Sequence, residues 1–338
     1  MSYQQNINAG LDRAYAAAPV IPMDVRTFRL AIVSDLHRGA GDGADDFRAC
    51  QRTYAAALEH YWRRGHLLGV LGDAEELWEC RPDEVVARYA GSIGLEKAFH
   101  DAGRYWRFRG NHDEDWRIPG EVERYLEPIL GRVATLESLR LEVMDGRERL
   151  GEIFIVHGHQ GTLWADRLDW LSHALLHAVW RPIQRLTSFR TTTPATNWRL
   201  GRKHEFAVYH WAVSKPGMLI VTGHTHHPVF PSPARFEQLT ATYDDLRHQP
   251  EAYESEVLER IQADLAFARS QEQPCYLNSG CCSFSDGSLT AIEIASGAIR
   301  LVRWQITGTR PQREVLARAR LKRLLADVAA PRLSASAP

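Results

Sequence analysis

The chain has 338 residues, with 41 Lys and Arg against 42 Asp and Glu, a formal net charge of -1. That balance argues against a general nucleic-acid binder, which carries a basic excess or a broad basic face. At 44% hydrophobic and 25% charged, in a length for one large or two small domains, the composition is that of a globular protein with a substantial core. No apolar stretch reaches membrane-spanning length, and the N-terminus lacks a basic start followed by an apolar run. Cys50, Cys80, Cys275, Cys281 and Cys282 form no Cys-x-x-Cys pair, so reduced core thiols and a cytoplasmic setting are expected.

In chain order, residues 1–25 are small, polar and proline-punctuated, and read as an arm laid on the body. Phe28 to Ser34 is the first expected strand, Asp45 to Arg64 a helix, and the apolar run from Leu67 the second strand. Strand, helix, strand in that space is a βαβ unit and implies a largely parallel sheet. Pro82 to His100 reads as helix, Tyr105 to Arg109 as the third strand, and Glu121 to Leu130 as a short helix. Leu139 to Met144 and Glu152 to Val156, either side of Asp145-Gly146, read as strands of a second sheet.

Residues 162–215 are expected to form a helical cap insertion. Trp164, Leu168, Leu171, Leu175, Val179, Ile183 and Leu186 fall at helical steps, Arg199 to Val213 predicts a second helix, and TSFRTTTPATN between them a loop. Any membrane association would be peripheral, through the Leu163 to Leu186 helix. Met218 to Val221 returns to strand, and residues 231–273 read as a peripheral insertion, helical in its second half. Tyr276 to Asn278, Ser288 to Ala295 and Ile299 to Gln305 read as closing antiparallel strands, with Ser296-Gly297 as a hairpin turn. A main domain over 26–310 would then be followed, in 311–338, by a basic helix from Gln312 to Val328 and a disordered tail.

Five apolar runs share one ending. LAIVSD delivers Asp35 and His37, the run from Leu67 delivers Asp73, YWRFRGNHD delivers Asn111 and His112, IFIVHGH delivers His157, and LIVTGHTH delivers His224 and His226. In an α/β sheet chemistry gathers beyond the carboxyl ends of the strands, so the five endings converge. Residues two apart in an extended segment share a face, so Asp35 and His37, and likewise His224 and His226, can act as pairs. Carboxylate, amide and imidazole without thiolate suit manganese, with iron, zinc or magnesium as alternatives. Two dications need a shared anion, and Asp73 is the best bridge. Two dications less two carboxylates and a bridging hydroxide leave about +1, a centre suited to in-line attack on phosphorus. His112 is placed to protonate the leaving oxygen, and Asp113 to hold its ring. Taken singly, Gly72-Asp73 is an ordinary turn, Asn111 a helix cap, and His159 or His227 a buried or supporting histidine. Five such segments in one order are not accidental.

These residues resemble the calcineurin-like metallophosphoesterase superfamily, through Asp35-Leu36-His37, Gly72-Asp73, Gly110-Asn111-His112-Asp113, His157-Gly158-His159 and Gly223-His224-Thr225-His226. The resemblance implies an α/β fold of two packed mixed sheets flanked by helices. It also implies one metal held by Asp35, His37, Asp73 and His226, a second by Asp73, Asn111, His157 and His224, and His112 as the catalytic histidine. Gly72 to Trp78 and Gly223 to Pro228 look like the branch of UDP-diacylglucosamine pyrophosphohydrolases. The expected activity is hydrolysis of phosphoester or diphosphate bonds in a small or lipid-linked phosphate substrate. The alternatives are a phosphodiesterase or phosphatase on nucleotides, and a catalytically silent interaction module of the same fold.

Overall fold

The computed structural model of the chain describes residues 1–43, 45–162, 198–231, 233–248, 255–270 and 273–329. It opens with helix α1 (Tyr3–Ala17) and strand β1 (Val20–Asp24). The helix starts on a reciprocal cap: Ser2 Oγ accepts from the Gln5 N–H, and Gln5 Oε1 from the Ser2 N–H. Ile7, Leu11 and Ala14, one helical stripe, are buried. The expected arm is therefore integral to the body, its apolar stripe having been diluted by polar neighbours.

One sheet grows from β2 (Arg29–Val33), β3 (Leu67–Leu71), β4 (Tyr105–Phe108) and β5 (Thr135–Leu136), which pair in parallel in that order. Helices α2 (Gln51–Arg63) and α3 (Pro82–Asp101) make the crossovers, and α4 (Glu121–Tyr125) and α5 (Glu127–Leu130) follow β4. Alternation on β2 explains its unbroken apolar run. Leu30 and Ile32 enter the core between the sheets, while Ala31 and Val33 pack with Tyr54, Leu58 and Val85 of the covering helices.

The second sheet contains β6 (Ser138–Asp145), antiparallel to β7 (Glu148–Val156), then β8 (Met218–Thr222) parallel to β7. The edges are β1, parallel to β6, and the two-residue β9 (Pro228–Val229), antiparallel to β10 (Tyr276–Ser279). The Tyr276 strand was expected to be antiparallel; it runs parallel to β8, because a long excursion separates the two in sequence. Strands β11 (Leu289–Ala295) and β12 (Ala298–Thr307) return to the first sheet around Ser296 and Gly297, both left-handed as a tight hairpin requires.

The terminal helix expected from Gln312 starts later. Arg310–Arg320 is strand β13, paired along β12, and only Leu321–Ala329 is helix. Ladder pairing with β12 overrides the helical propensity of this stretch. We label that helix α9, after α6 (Trp198–Val213), α7 (Pro233–His248) and α8 (Ser255–Ser270). Both halves of the 231–273 insertion thus contain helix. Helix α6 belongs to the body rather than to a cap, burying Ala207, Val208, Trp211 and Ala212 with α1 and α9 on the outer face of the second sheet. The Trp164 to Leu186 helix, the following loop and the tail after 329 lie outside the described residues. The fold is two packed mixed β-sheets flanked by helices. Among the described residues no helix is long and apolar enough to cross a membrane.

Candidate metal centre

The expected endings converge at the seam between the sheets, three from β2, β3 and β4 and two from β7 and β8. After β2, β3 and β8 the backbone turns left-handed rather than running on extended. Asp35, His37, Asp73, His224 and His226 have φ of 52, 49, 49, 70 and 56°. Among the described residues only Ser296 joins them as a left-handed non-glycine. Each such residue costs on the order of 1–3 kcal/mol, and such strain collects where function over-determines the backbone. The Asp-x-His and His-x-His pairs therefore meet through left-handed turns, not through the strand periodicity expected.

Backbone hydrogen bonds hold these loops side by side: Asp35 N–H to Gly72 O at 3.1 Å, His37 N–H to Asp73 O at 3.0 Å, and Gly223 N–H to His157 O at 3.0 Å. Gly72 is required twice over. Its φ is +76°, and a Cβ there would lie 2.7 Å from both the Gly110 nitrogen and the His157 ring.

Six of the seven expected ligands fall into two groups, Asp35 with His37 and His226, and Asp73 with His157 and His224, each with ligand atoms within 4.8 Å of one another. Asp73 Oδ2 is 3.1 Å from His157 Nε2 and 3.9 Å from His37 Nε2, so it stands between the groups. Asp35 Oδ1 also reaches both, at 3.3 Å from His226 and 3.9 Å from His157. His157 Nδ1 donates to the Leu71 carbonyl at 2.7 Å, which turns Nε2 toward Asp73 and makes it the atom that would ligate a cation on losing its proton. His224 Nε2 and Asn111 Oδ1 are buried without a hydrogen-bond partner, and His157 Nε2 faces only the carboxylates of Asp73 and Asp35. Each such group costs about 1–3 kcal/mol unless something satisfies it. Buried acceptors without donors, beside two buried carboxylates, fit a pair of divalent cations.

The electrostatics agree. Burial opposes charge on His37, yet Glu76, Asp73 and Asp35 push it up to about 10, and Asp73 and Asp35 push the equally buried His157 up to about 9. Against the opposing effect of burial, His157 is the chief group holding Asp35 and Asp73 below the usual carboxylate range. His224 goes well below its ordinary value, first from burial and then from His204 and His157. The carboxylates thus use protonated histidines as counter-charges, which cations would replace with release of protons.

His112 lies at the edge of this centre, but Asp113 does not orient it as expected. Asp113 accepts from Gly110 N–H at 2.6 Å and from Ala74 N–H at 2.8 Å, tying the β3 and β4 loops together. Burial, then Asp73 and Glu75, push it up to about 7. Ring orientation falls to Glu76, whose carboxylate lies 2.8 Å from His112 Nδ1 and 2.9 Å from His37 Nδ1. Burial would raise Glu76, but His112 and His37 bring it down to about 2. Its place three residues beyond Asp73, on the same turn, was the signal available in the sequence.

Further out, Asp264 of α8 sits 3.0 Å from His227 and forms a close ion pair with Arg202 of α6, so the insertion braces the loop carrying His224 and His226. Thr225 Oγ1 donates to Glu205 at 2.7 Å, and Asn278 Nδ2 to the Gly223 carbonyl at 2.7 Å. His159 is buried and pushed down to about 3, chiefly by burial and then by His157, in keeping with a supporting role.

The calcineurin-like phosphoesterase family model matches residues 28–228, which include all of the strand endings just described. The chain belongs to the calcineurin-like phosphoesterase family. No curated protein matches the sequence. Among solved structures, Vacuolar Protein Sorting 29 from Cryptosporidium parvum matches with a TM-score of 0.35 and 12% identity, over 87% of this phosphoesterase-family chain and 98% of that one.

Proposed function

We propose that this phosphoesterase-family protein is a dinuclear-metal-dependent hydrolase of phosphoester or diphosphate bonds. The observation that supports it most is the pair of buried, partnerless acceptors on Asn111 and His224 beside the carboxylates of Asp35 and Asp73 and the His157 imidazole that faces them. Asp35, His37, Asp73 and His226 would hold one ion, and Asp73, Asn111, His157 and His224 the other, a mixed nitrogen and oxygen set that takes manganese, with iron, zinc or magnesium as alternatives. Bound there, two divalent ions supply the positive charge that draws in and polarises a phosphate and makes water a nucleophile near neutral pH.

The chain's own groups then serve the leaving side. Glu76 fixes His112 through Nδ1, which leaves Nε2 to protonate the departing oxygen. The His112 side chain is 14% exposed, so substrate can reach it, whereas Asp35 and His157 are closed off from solvent. As for substrate, the run Gly72 to Trp78 and the sequence Gly223 to Pro228 support a UDP-diacylglucosamine-like diphosphate.

Purified manganese-loaded protein is expected to hydrolyse bis-p-nitrophenyl phosphate. A panel pairing UDP-diacylglucosamine with free nucleotides then separates the diphosphate-lipid reading from a small-molecule phosphodiesterase or phosphatase. Full activity after chelation and exhaustive dialysis would contradict the metal-dependent reading.

A further inference from the structure

Trp78 stacks on the His112 imidazole, with ring centroids 4.0 Å apart and planes at 23°. The same short segment reaches His112 in three other ways. Asp73 Oδ1 accepts from the His112 backbone N–H at 2.8 Å, the Leu77 N–H donates to the His112 carbonyl at 3.1 Å, and Glu76 takes ring atom Nδ1. Residues 73–78 thus fix the backbone of His112, one edge of its ring and one face. The His37 ring stands perpendicular to the same imidazole at 4.7 Å.

Core packing does not account for the indole. Trp78 is half-buried and belongs to neither apolar cluster, whereas its neighbours Ala74 and Leu77 are fully buried in the outer one. What the indole covers is His112. The torsion that turns an imidazole about its Cβ–Cγ bond is broad and only two-fold, so a hydrogen bond at Nδ1 leaves the ring free to tilt. A flat aromatic face at stacking distance removes that tilt. Small misplacements of a reacting group cost large factors in rate, so the plane of this ring matters to any proton it delivers.

We propose that Trp78 is a positioning residue, holding the His112 ring plane so that Nε2 meets the leaving-group oxygen. This rests on the phosphoester-hydrolase reading. As the bond from phosphorus to the leaving oxygen breaks, its electron pair stays on that oxygen, which takes the Nε2 proton and departs as a neutral alcohol. A leaving group that is stable as an anion has little need of that proton.

The experiment compares manganese-loaded wild type, Trp78→Leu and Trp78→Phe on two aryl methyl phosphodiesters, one releasing p-nitrophenol and one releasing phenol. The Leu variant is expected to lose roughly tenfold more kcat on the phenyl ester than on the p-nitrophenyl ester, with KM within about twofold, a fraction of what a general acid contributes. The Phe variant keeps a flat face and is expected to recover to within about threefold of wild type on the phenyl ester. Manganese content and melting temperature equal to wild type accompany that result. An equal loss on both esters, or none on either, overturns the role of Trp78 while leaving the hydrolase reading intact. A wild type that turns over neither ester overturns both. Should the Leu variant not fold, the Phe variant alone decides: its loss must be confined to the phenyl ester.

Discussion

Two clusters of charge lie at or near full burial, a few residues apart in sequence, and solve the same problem in opposite ways. Beneath the β2 and β3 loops, Arg38, Glu75, Glu96 and Arg107 are all fully buried. Each guanidinium meets both carboxylates, with Arg38 3.2 Å from Glu75, Arg107 3.3 Å from Glu96, and closer pairs between Arg38 and Glu96 and between Arg107 and Glu75. Tyr54, Tyr105 and Trp116 donate to the same carboxylates at 2.9, 2.6 and 2.9 Å. Charge and most hydrogen-bonding capacity are closed within the protein. At the strand endings, by contrast, the ion-pair partners of Asp35, Asp73 and Glu76 among the described residues are histidines alone, and acceptors are left over. Burial by itself therefore says little about function. What distinguishes a working centre is charge that the protein leaves for something else to complete.

Breaking each cluster should give different kinds of damage. The largest effect belongs to the open one: Asp73→Asn is expected to lower turnover of a manganese-loaded protein by roughly a thousandfold or more, because it removes the carboxylate placed between both ligand groups. Steady-state rates measure this. The closed cluster should fail in stability instead. Arg107→Met leaves Glu75 and Glu96 short of counter-charge, and removing one member of a buried pair costs about 3–5 kcal/mol. Urea unfolding of the metal-free protein reads that loss, and in the same assay Asp73→Asn should cost far less, since the imidazoles beside Asp73, unlike a guanidinium, can release a proton when the carboxylate is gone.

Both clusters were legible in the sequence to different degrees, for physical reasons. The open one announces itself because its acids, amide and imidazoles follow apolar runs at fixed places, and a donor set of that kind can be recognised in a string. Asp35, His37, Asp73, Asn111, His157, His224 and His226 were singled out that way, and the fold brings six of them into two groups at one seam. The closed cluster is assembled from a loop, a helix and a strand, with Arg38 and Glu96 far apart in sequence, and nothing in the local pattern marks Glu75 as their meeting point. The same limit explains Asp113 and Glu76. Both are acids near His112 along the chain or across a loop, and only the fold shows that backbone N–H groups have already claimed Asp113. Periodicity failed where pairing overrode it, at β13, and where polar neighbours obscured a stripe, at α1.

Smaller effects sharpen the contrast. Cations that bind only the folded state should stabilise it by about 2.7 kcal/mol at a hundred times their dissociation constant, an increment that chelation removes and that Arg107→Met leaves in place. Thermal melts with and without chelator test this. The metal-free protein should also carry a pH signature. His37 and His157 have folded values of about 10 and about 9, raised above the ordinary histidine value, so the folded state binds more protons there. That stabilisation is complete below pH of about 6.5 and is lost as pH rises through about 9 to about 10. With metals bound the two imidazoles are neutral, and the decline should vanish from melts recorded across that window.

How many cations this centre takes up can be counted by elemental analysis of protein reconstituted with manganese and freed of excess metal. Two ions per chain are expected for the wild type, and no more than one for Asp73→Asn. Fewer than one ion per chain in well-folded wild type would rule out a dinuclear centre and point instead to a catalytically silent phosphoesterase fold.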